Sequence, residues 1–278
     1  MGKPAITKEG LAPITAHRFL DETGDPTFYK KGHVLAIGEP GISYTFSIGM
    51  VQFRTDLNDV RSEVINFQNN IAQDNYLNLI PSVKKKISEG GFYFHANEDP
   101  AEVRMIFFRL IEKLDCSFEM VVARKIPPLF AKKHNNQESE FYADLLSHLI
   151  KGKLKSGQRL VLNIAARNTT TRNANLVKAL EIARTRALKK WPPEEIRSTC
   201  VFNVQTPRIE PLLSIADYLS WSVQRVFELG DMRFYEFIKD KASVIIDIYD
   251  RDNYEGGKNF YTRKRPLTAK NRISPPLP

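Results

Sequence analysis

Apolar and polar positions alternate first in short runs and then in longer, helix-spaced runs. "HRFLDE" is a short apolar run ending on acids, and it predicts a first strand. After a Gly/Pro loop, "YTFSIGMVQF" predicts a second strand with small and polar residues between apolar ones. Residues 56 to about 86 are helical in composition, with an interruption expected at Pro81. "GGFYFHA" predicts a third strand. In "NEDPAEVRMIFFRLIEKL", Asp99 suits an N-cap, Pro100 the first helical position and Glu102 the first turn. Val103, Ile106, Phe107, Leu110, Ile111 and Leu114 then follow the spacing of one buried helix face. "SFEMVVARK" predicts a fourth strand, "ESEFYADLLSHLIKGKL" a helix, "RLVLNIAARN" a fifth strand and "NANLVKALEIARTRALKKW" a helix. "CVFNVQ" predicts a short strand before the last long helix, and "ASVIIDIY" follows it. Strands come first and alternate with helices afterwards, which predicts one mixed α/β domain over residues 14–255.

The last long helix, "TPRIEPLLSIADYLSWSVQRVFELGD", carries an acid near its apolar stripe. Leu212, Ile215, Ala216, Leu219, Val223, Val226 and Phe227 make the stripe. At about 100° per residue, Asp217 lies roughly 120° from the centre of the stripe, at its border. Leu213, Ser220 and Gln224 share that side. A carboxylate between Leu213 and Tyr218 is partly desolvated, which is costly without a cation or hydrogen-bond donors. Arg225 could answer it, and so could a ligand.

The chain has 278 residues, 42% hydrophobic and 26% charged, which is an ordinary globular composition. There is no apolar run of about 18 residues, so no membrane span is expected. The N-terminus "MGKPAITKEGLAP" has no apolar core of the secretory type, and Ile6 stands where myristoylation wants Ser or Thr. Cys116 and Cys200 are far apart, which excludes zinc ribbons and disulfide frameworks and fits a reducing cytoplasm. Net charge is +9, which points to an anionic partner such as nucleic acid. Lys258, Arg263, Lys264, Arg265, Lys270 and Arg272 supply six of those charges within a stretch that holds no acid. Residues 256–278 are therefore expected to form a basic, Pro-rich, flexible tail, able to tether phosphate backbones through Arg263, Lys264 and Arg265.

Candidate chemistry gathers on acids. "AHRFLDETGDPTFYKKG" runs an apolar strand into Asp21 and Glu22 before a turn. A strand end reaching solvent explains this, and so does a site for a hard divalent cation held by rigid carboxylates. Strand alternation makes Glu22 face away from Asp21. No GxxxxGK[ST], GxGxxG or GxSxG motif occurs. Thr169–Thr171 between Arg167 and Arg172 suits either a capped loop or a phosphate at a helix N-terminus. His95, on the expected third strand, is either a hydrogen-bonded structural histidine or a metal ligand or proton shuttle. His17, His33, His134 and His148 show no ligand spacing.

"FLDETGD", "FHA" before a helix and "EPLLSIADYLSWSVQRVFE" late in the chain together resemble the domain-of-unknown-function family 3800 of bacterial and phage proteins, over about residues 17–237. That resemblance implies a ribonuclease-H-like fold, with a mixed sheet flanked by helices. It implies a metal-dependent nuclease or related phosphoryl-transfer enzyme using Mg²⁺ or Mn²⁺. It implies Asp21 and Asp217 as metal-holding catalytic acids, with Glu22 as the second acid of the "DE" pair and Glu98, Asp99 or Glu102 as a source of a third ligand. Capping and the helix dipole are the simpler explanation of these last three acids. One departure stands out. Ala166 precedes Arg167 where many relatives carry an acid, which favours an alternative: an inactive binding or adaptor protein from a phage or mobile element.

Overall fold

The structure, a computed structural model, describes residues 14–167, 173–253 and 255–273. Its strands are β1 (Thr15–Gly24), β2 (Tyr29–Lys30), β3 (Val34–Leu35), β4 (Thr45–Phe53), β5 (Cys116–Arg124), β6 (Arg159–Ala165), β7 (Thr199–Gln205), β8 (Ala242–Asp247) and β9 (Phe260–Tyr261). Its α-helices are α1 (Leu57–Gln73), α2 (Pro81–Ser88), α3 (Ala101–Lys113), α4 (Pro127–His134), α5 (Glu138–Ile150), α6 (Asn173–Leu188), α7 (Leu213–Leu229) and α8 (Arg233–Ile238). No described helix is long and apolar enough to cross a membrane.

Seven strands form one mixed sheet in the order β7-β6-β1-β4-β5-β8-β9, and β2 pairs only with β3. β1 pairs in parallel with β6 and antiparallel with β4. Strand alternation then assigns β1 side chains to two faces. Phe19 joins a core built from α1, α2, α3, α7 and α8, whereas Leu20 joins one built from α4, α5 and α6. The expected α/β class is therefore observed, with helices on both sides of the sheet.

Several expected elements differ. Pro81 does not interrupt a helix: it opens α2, at the first-turn position where its missing N–H costs nothing. The break falls earlier, where Asp74 receives the N–H groups of Tyr76 and Leu77. "GGFYFHA" joins no strand ladder. Phe92 and Phe94 are buried between helices, and backbone groups of this segment bond to side chains instead. Asp99 does not cap α3, whose N-cap is Pro100 with no side-chain bond. Its carboxylate turns inward to buried Lys86 at 2.8 Å. Ile106 is only partly buried, and Phe108 takes a core place beside Phe107.

Of the expected flexible tail, residues 274–278 lie outside the described residues, and residues 256–273 are packed on the domain. Phe260–Tyr261 adds a seventh strand against β8. Leu267 is buried, and the Ile273 N–H donates to the Phe227 carbonyl at the end of α7. Apolar Tyr261, Leu267 and Ile273, set among the basic residues, are what dock this stretch. No boundary at residue 255 separates body from tail over the described residues.

Candidate active site

A small residue in the sheet lets α7 close onto β1. Asp21 of β1 pairs with Gly49 of β4, and Gly49 pairs with Met120 of β5. A Cβ on Gly49 would overlap the Ser220 hydroxyl and approach the Phe118 ring to 2.6 Å. Glycine here is a matter of close approach, since α7 lies where a side chain would be. α7 is buried without interruption from Leu213 to Val223, because it is sandwiched between the sheet and α3.

The helix side holding Asp217, Ser220 and Gln224 faces the carboxyl end of β1. Ser220 meets Gly49, Gln224 accepts the Thr23 hydroxyl, and Asp217 lines a pocket with Asp21. Glu228, one turn further on, accepts the N–H groups of Tyr44 and Thr45 at 3.0 and 2.8 Å and fixes the far end of the helix to β4. Asp217 is 7% exposed, more deeply set than a border position implies. Its donor is the Ala96 N–H at 2.7 Å. Arg225 does not answer it and pairs with Asp231 at 2.8 Å.

The segment before α3 is shaped to make that bond. Ser214 donates to the Phe94 carbonyl and Lys86 to the Tyr93 carbonyl. Asp99 accepts the His95 N–H at 2.8 Å and the Tyr218 hydroxyl at 2.6 Å. Buried Lys86 balances Asp99, so a satisfied network behind the pocket holds residues 93–96 in place. Sequence reasoning missed Lys86 and Tyr218. Lys86 stands in a run of three lysines that reads as a solvated surface, and nothing local singles it out.

The pocket has a volume of about 840 Å³ and lies at the carboxyl ends of β1 and β6. β6 stops pairing at Leu20↔Ile164, while β4 follows β1 to Gly24, so the sheet opens beside Asp21. Such carboxyl-end notches are the usual ligand sites of α/β sheets. Asp21, Glu22, Asp25, Glu39, Glu98 and Asp217 bring acid to the pocket, and Arg167 and Arg208 bring positive charge. Asp21 is half-buried and opens on it. Burial, and then the neighbouring Asp217 charge, push the Asp21 carboxyl well above its ordinary value against the opposing Glu22 N–H. Burial likewise raises Asp217, opposed by His95 and by the Ala96 N–H. These two far-separated acids therefore share one desolvated site.

Glu22 faces the other way, toward α5, as alternation requires. It still borders the pocket, because the pocket wraps the end of the sheet and is reached from both faces. Its side chain is 1% exposed, with Arg167 at 3.7 Å. After burial, the Glu22 charge is the main cause holding the nearby Tyr142 hydroxyl well above its usual range. Glu98 is an exposed rim residue whose carboxylate lies 3.4 Å from Lys86. Glu102 is exposed on α3 and does not line the pocket. His95 lines it, and its Nδ1 is buried with no hydrogen-bond partner among the described residues. Ala166 is exposed at the pocket edge, its N–H given to the Gln205 carbonyl.

Of the expected phosphate contacts, Arg167 borders the pocket, and Arg172 with Thr169–Thr171 lies outside the described residues. Arg263, Lys264 and Arg265 are exposed beside β9, at one edge of the sheet and away from the pocket lining. Among the described residues, no three His, Cys, Asp or Glu side chains converge as a metal cage. Asp21 and Asp217 nevertheless fit the donor set of Mg²⁺, which is commonly held by one or two carboxylates and keeps water and substrate oxygens for the rest of its shell. The Asp217 charge adds to the burial that raises Asp21, with the Glu22 N–H and Arg167 opposing both. No protein-family model, curated protein or solved structure matches the chain.

Proposed function

We propose that the protein is a divalent-metal-dependent nuclease or related phosphoryl-transfer enzyme with a ribonuclease-H-like fold, acting on nucleic acid in a reducing cytoplasm. The observation that carries the reading is the meeting of Asp21 and Asp217, from the central strand and a late helix, in one pocket at the carboxyl end of the sheet. The strand arrangement supports it. A three-stranded antiparallel run, β1-β4-β5, is extended by β6 and β7 in parallel beside β1, a mixed sheet with Asp21 on a central strand, as the resemblance to family 3800 implies.

Asp21 and Asp217 are the residues to hold Mg²⁺ or Mn²⁺. A cation bound there supplies Lewis acidity and lowers the pKa of water for attack on a phosphodiester. The Ala96 N–H orients Asp217, and Arg167, 3.7 Å from Glu22, offsets part of the charge that Glu22 and Asp217 press on Asp21. His95 offers a ring nitrogen beside Asp217 for a proton or a water. Arg208, in the pocket wall and stacked 5.1 Å from the Tyr93 ring, is placed to meet a phosphate.

A second reading, a binding or adaptor protein without catalysis, is favoured by Ala166 and by the lack of a third converging ligand among the described residues. Cleavage of labelled single- and double-stranded DNA and RNA with Mn²⁺ separates the two. The catalytic reading expects cleavage that falls at least a hundredfold in Asp217→Asn. Binding without metal-dependent cleavage, unchanged by Asp217→Asn, selects the adaptor.

A further inference from the structure

A second group of buried oxygens lies where β8 turns toward β9. Asp247, Asp250 and Asn259 are 0%, 1% and 2% exposed. Arg124, at the end of β5, holds one oxygen of each acid, with Nε 2.8 Å from Asp247 Oδ2 and Nη2 2.8 Å from Asp250 Oδ2. Asn253 also donates to Asp250 Oδ2 at 2.9 Å. Asn259 donates its amide to the Asp247 carbonyl at 2.9 Å, and the Asp247 N–H donates back to the Asn259 carbonyl at 3.0 Å. The Asp250 N–H turns toward the Asp247 carbonyl, so the three residues sit at one corner.

The remaining oxygens are unserved. Asp247 Oδ1, Asp250 Oδ1 and Asn259 Oδ1 are all buried and accept no hydrogen bond among the described residues. Burial lifts the Asp247 carboxyl to about 6, although Arg124 and the Tyr249 N–H ease its charge. Two carboxylates against one guanidinium leave a negative charge in the interior, and buried acceptors without donors are rare and costly. A proton serves one oxygen and a water brings no charge. A hard cation would neutralise the corner and also serve oxygens that lack donors.

We propose that Asp247, Asp250 and Asn259 form a binding site for a hard cation, best matched by Ca²⁺, separate from the Asp21–Asp217 pocket. Calcium accepts carboxylate and neutral amide oxygens in flexible number and completes its shell with water. The ion would fasten the β9 arm to the sheet, because its ligands come from both β8 and the residue preceding β9.

The experiment is calorimetric titration of CaCl₂ into the full chain carrying Asp21→Asn and Asp217→Asn, which removes the first pair of acids. One calcium per chain is expected. Adding Asp250→Asn should weaken it at least tenfold, and adding Asn259→Asp should tighten it at least tenfold. If Asp250→Asn does not fold, Asn259→Asp decides alone. Absence of calcium binding in the Asp21→Asn/Asp217→Asn protein overturns the site and leaves a proton or water at the corner. Binding indifferent to both added substitutions also overturns it.

Discussion

The carboxyls of Asp21 and Asp217 are raised in the folded state, so the folded protein holds protons that the unfolded chain releases. Their favourable contribution is complete below the ordinary carboxylate value of 3.8 and is lost as pH rises through the raised values. The Asp21→Asn protein lacks this loss. Between pH 5 and 8 in chelator, it is expected to melt at or above wild type, with the gap widening as pH rises. Millimolar Mn²⁺ should raise the wild-type melting temperature by mass action, and raise that of the variant clearly less. Melting scans across pH, with and without Mn²⁺, check this. A variant that melts below wild type at every pH would instead make Asp21 a satisfied structural acceptor. At the same scale, Asp144 shows an acid with the opposite environment. Burial pushes its carboxyl up, but His134, Lys133, Tyr249 and Arg186 overcome this and hold it far down. These partners, unlike those of Asp21, leave no negative charge for a cation to answer, and His134 and Asp144 are buried between α4, α5 and α6.

At the scale of elements, the site depends on how closely α7 lies on β1 and β4. Gly49 sets that distance, since Ser220 occupies the space of its missing side chain. Gly49→Val should force α7 outward and cost about 1–3 kcal/mol, the usual penalty of overpacking. Because Asp217 stands one turn before Ser220, the same shift should separate the two acids and weaken Mn²⁺ binding more than tenfold. Denaturant unfolding together with Mn²⁺ titration measures both effects. Lost stability with unchanged Mn²⁺ affinity would mean that the helix adapts without moving Asp217. A conservative change at a core position remote from α7, such as Leu160→Val, should cost stability but not metal affinity.

Across the whole molecule, Arg263, Lys264 and Arg265 sit at the edge of the sheet, beside β9, rather than on a free arm. Removing residues 258–278 would take away β9 and the buried Leu267, so the truncated protein is expected to lose stability and not merely charge. The cleaner test keeps the chain whole. Arg263→Gln, Lys264→Gln and Arg265→Gln together should leave the melting temperature nearly unchanged, since all three side chains are exposed. If they neutralise phosphates, nucleic-acid affinity should fall and the log–log salt slope should flatten by about 0.9 for each B-DNA phosphate they no longer neutralise. An unchanged slope would exclude this edge as a phosphate-binding surface.

The sequence by itself determined the class of fold and most of its elements. Short apolar runs such as "HRFLDE" and "SFEMVVARK" became strands, and the stripe from Leu212 to Phe227 became a buried helix, because burying an apolar face is a local demand. It also marked Asp21 and Asp217, and the wheel placed Asp217 on one side with Ser220 and Gln224. Only the tertiary structure decided that this side meets β1, since that needs Gly49, which lies far earlier in the chain. It also decided that "GGFYFHA" bonds to Lys86, Ser214, Asp99 and Asp217 rather than to a strand, because alternation fits either outcome when both bury Phe92 and Phe94. Asp99 read as a cap because its partners, Lys86 and Tyr218, are distant in the chain. The final stretch read as a free arm because charge dominates its composition. A few apolar residues, Tyr261, Leu267 and Ile273, were enough to dock it once β8 and α7 offered a surface.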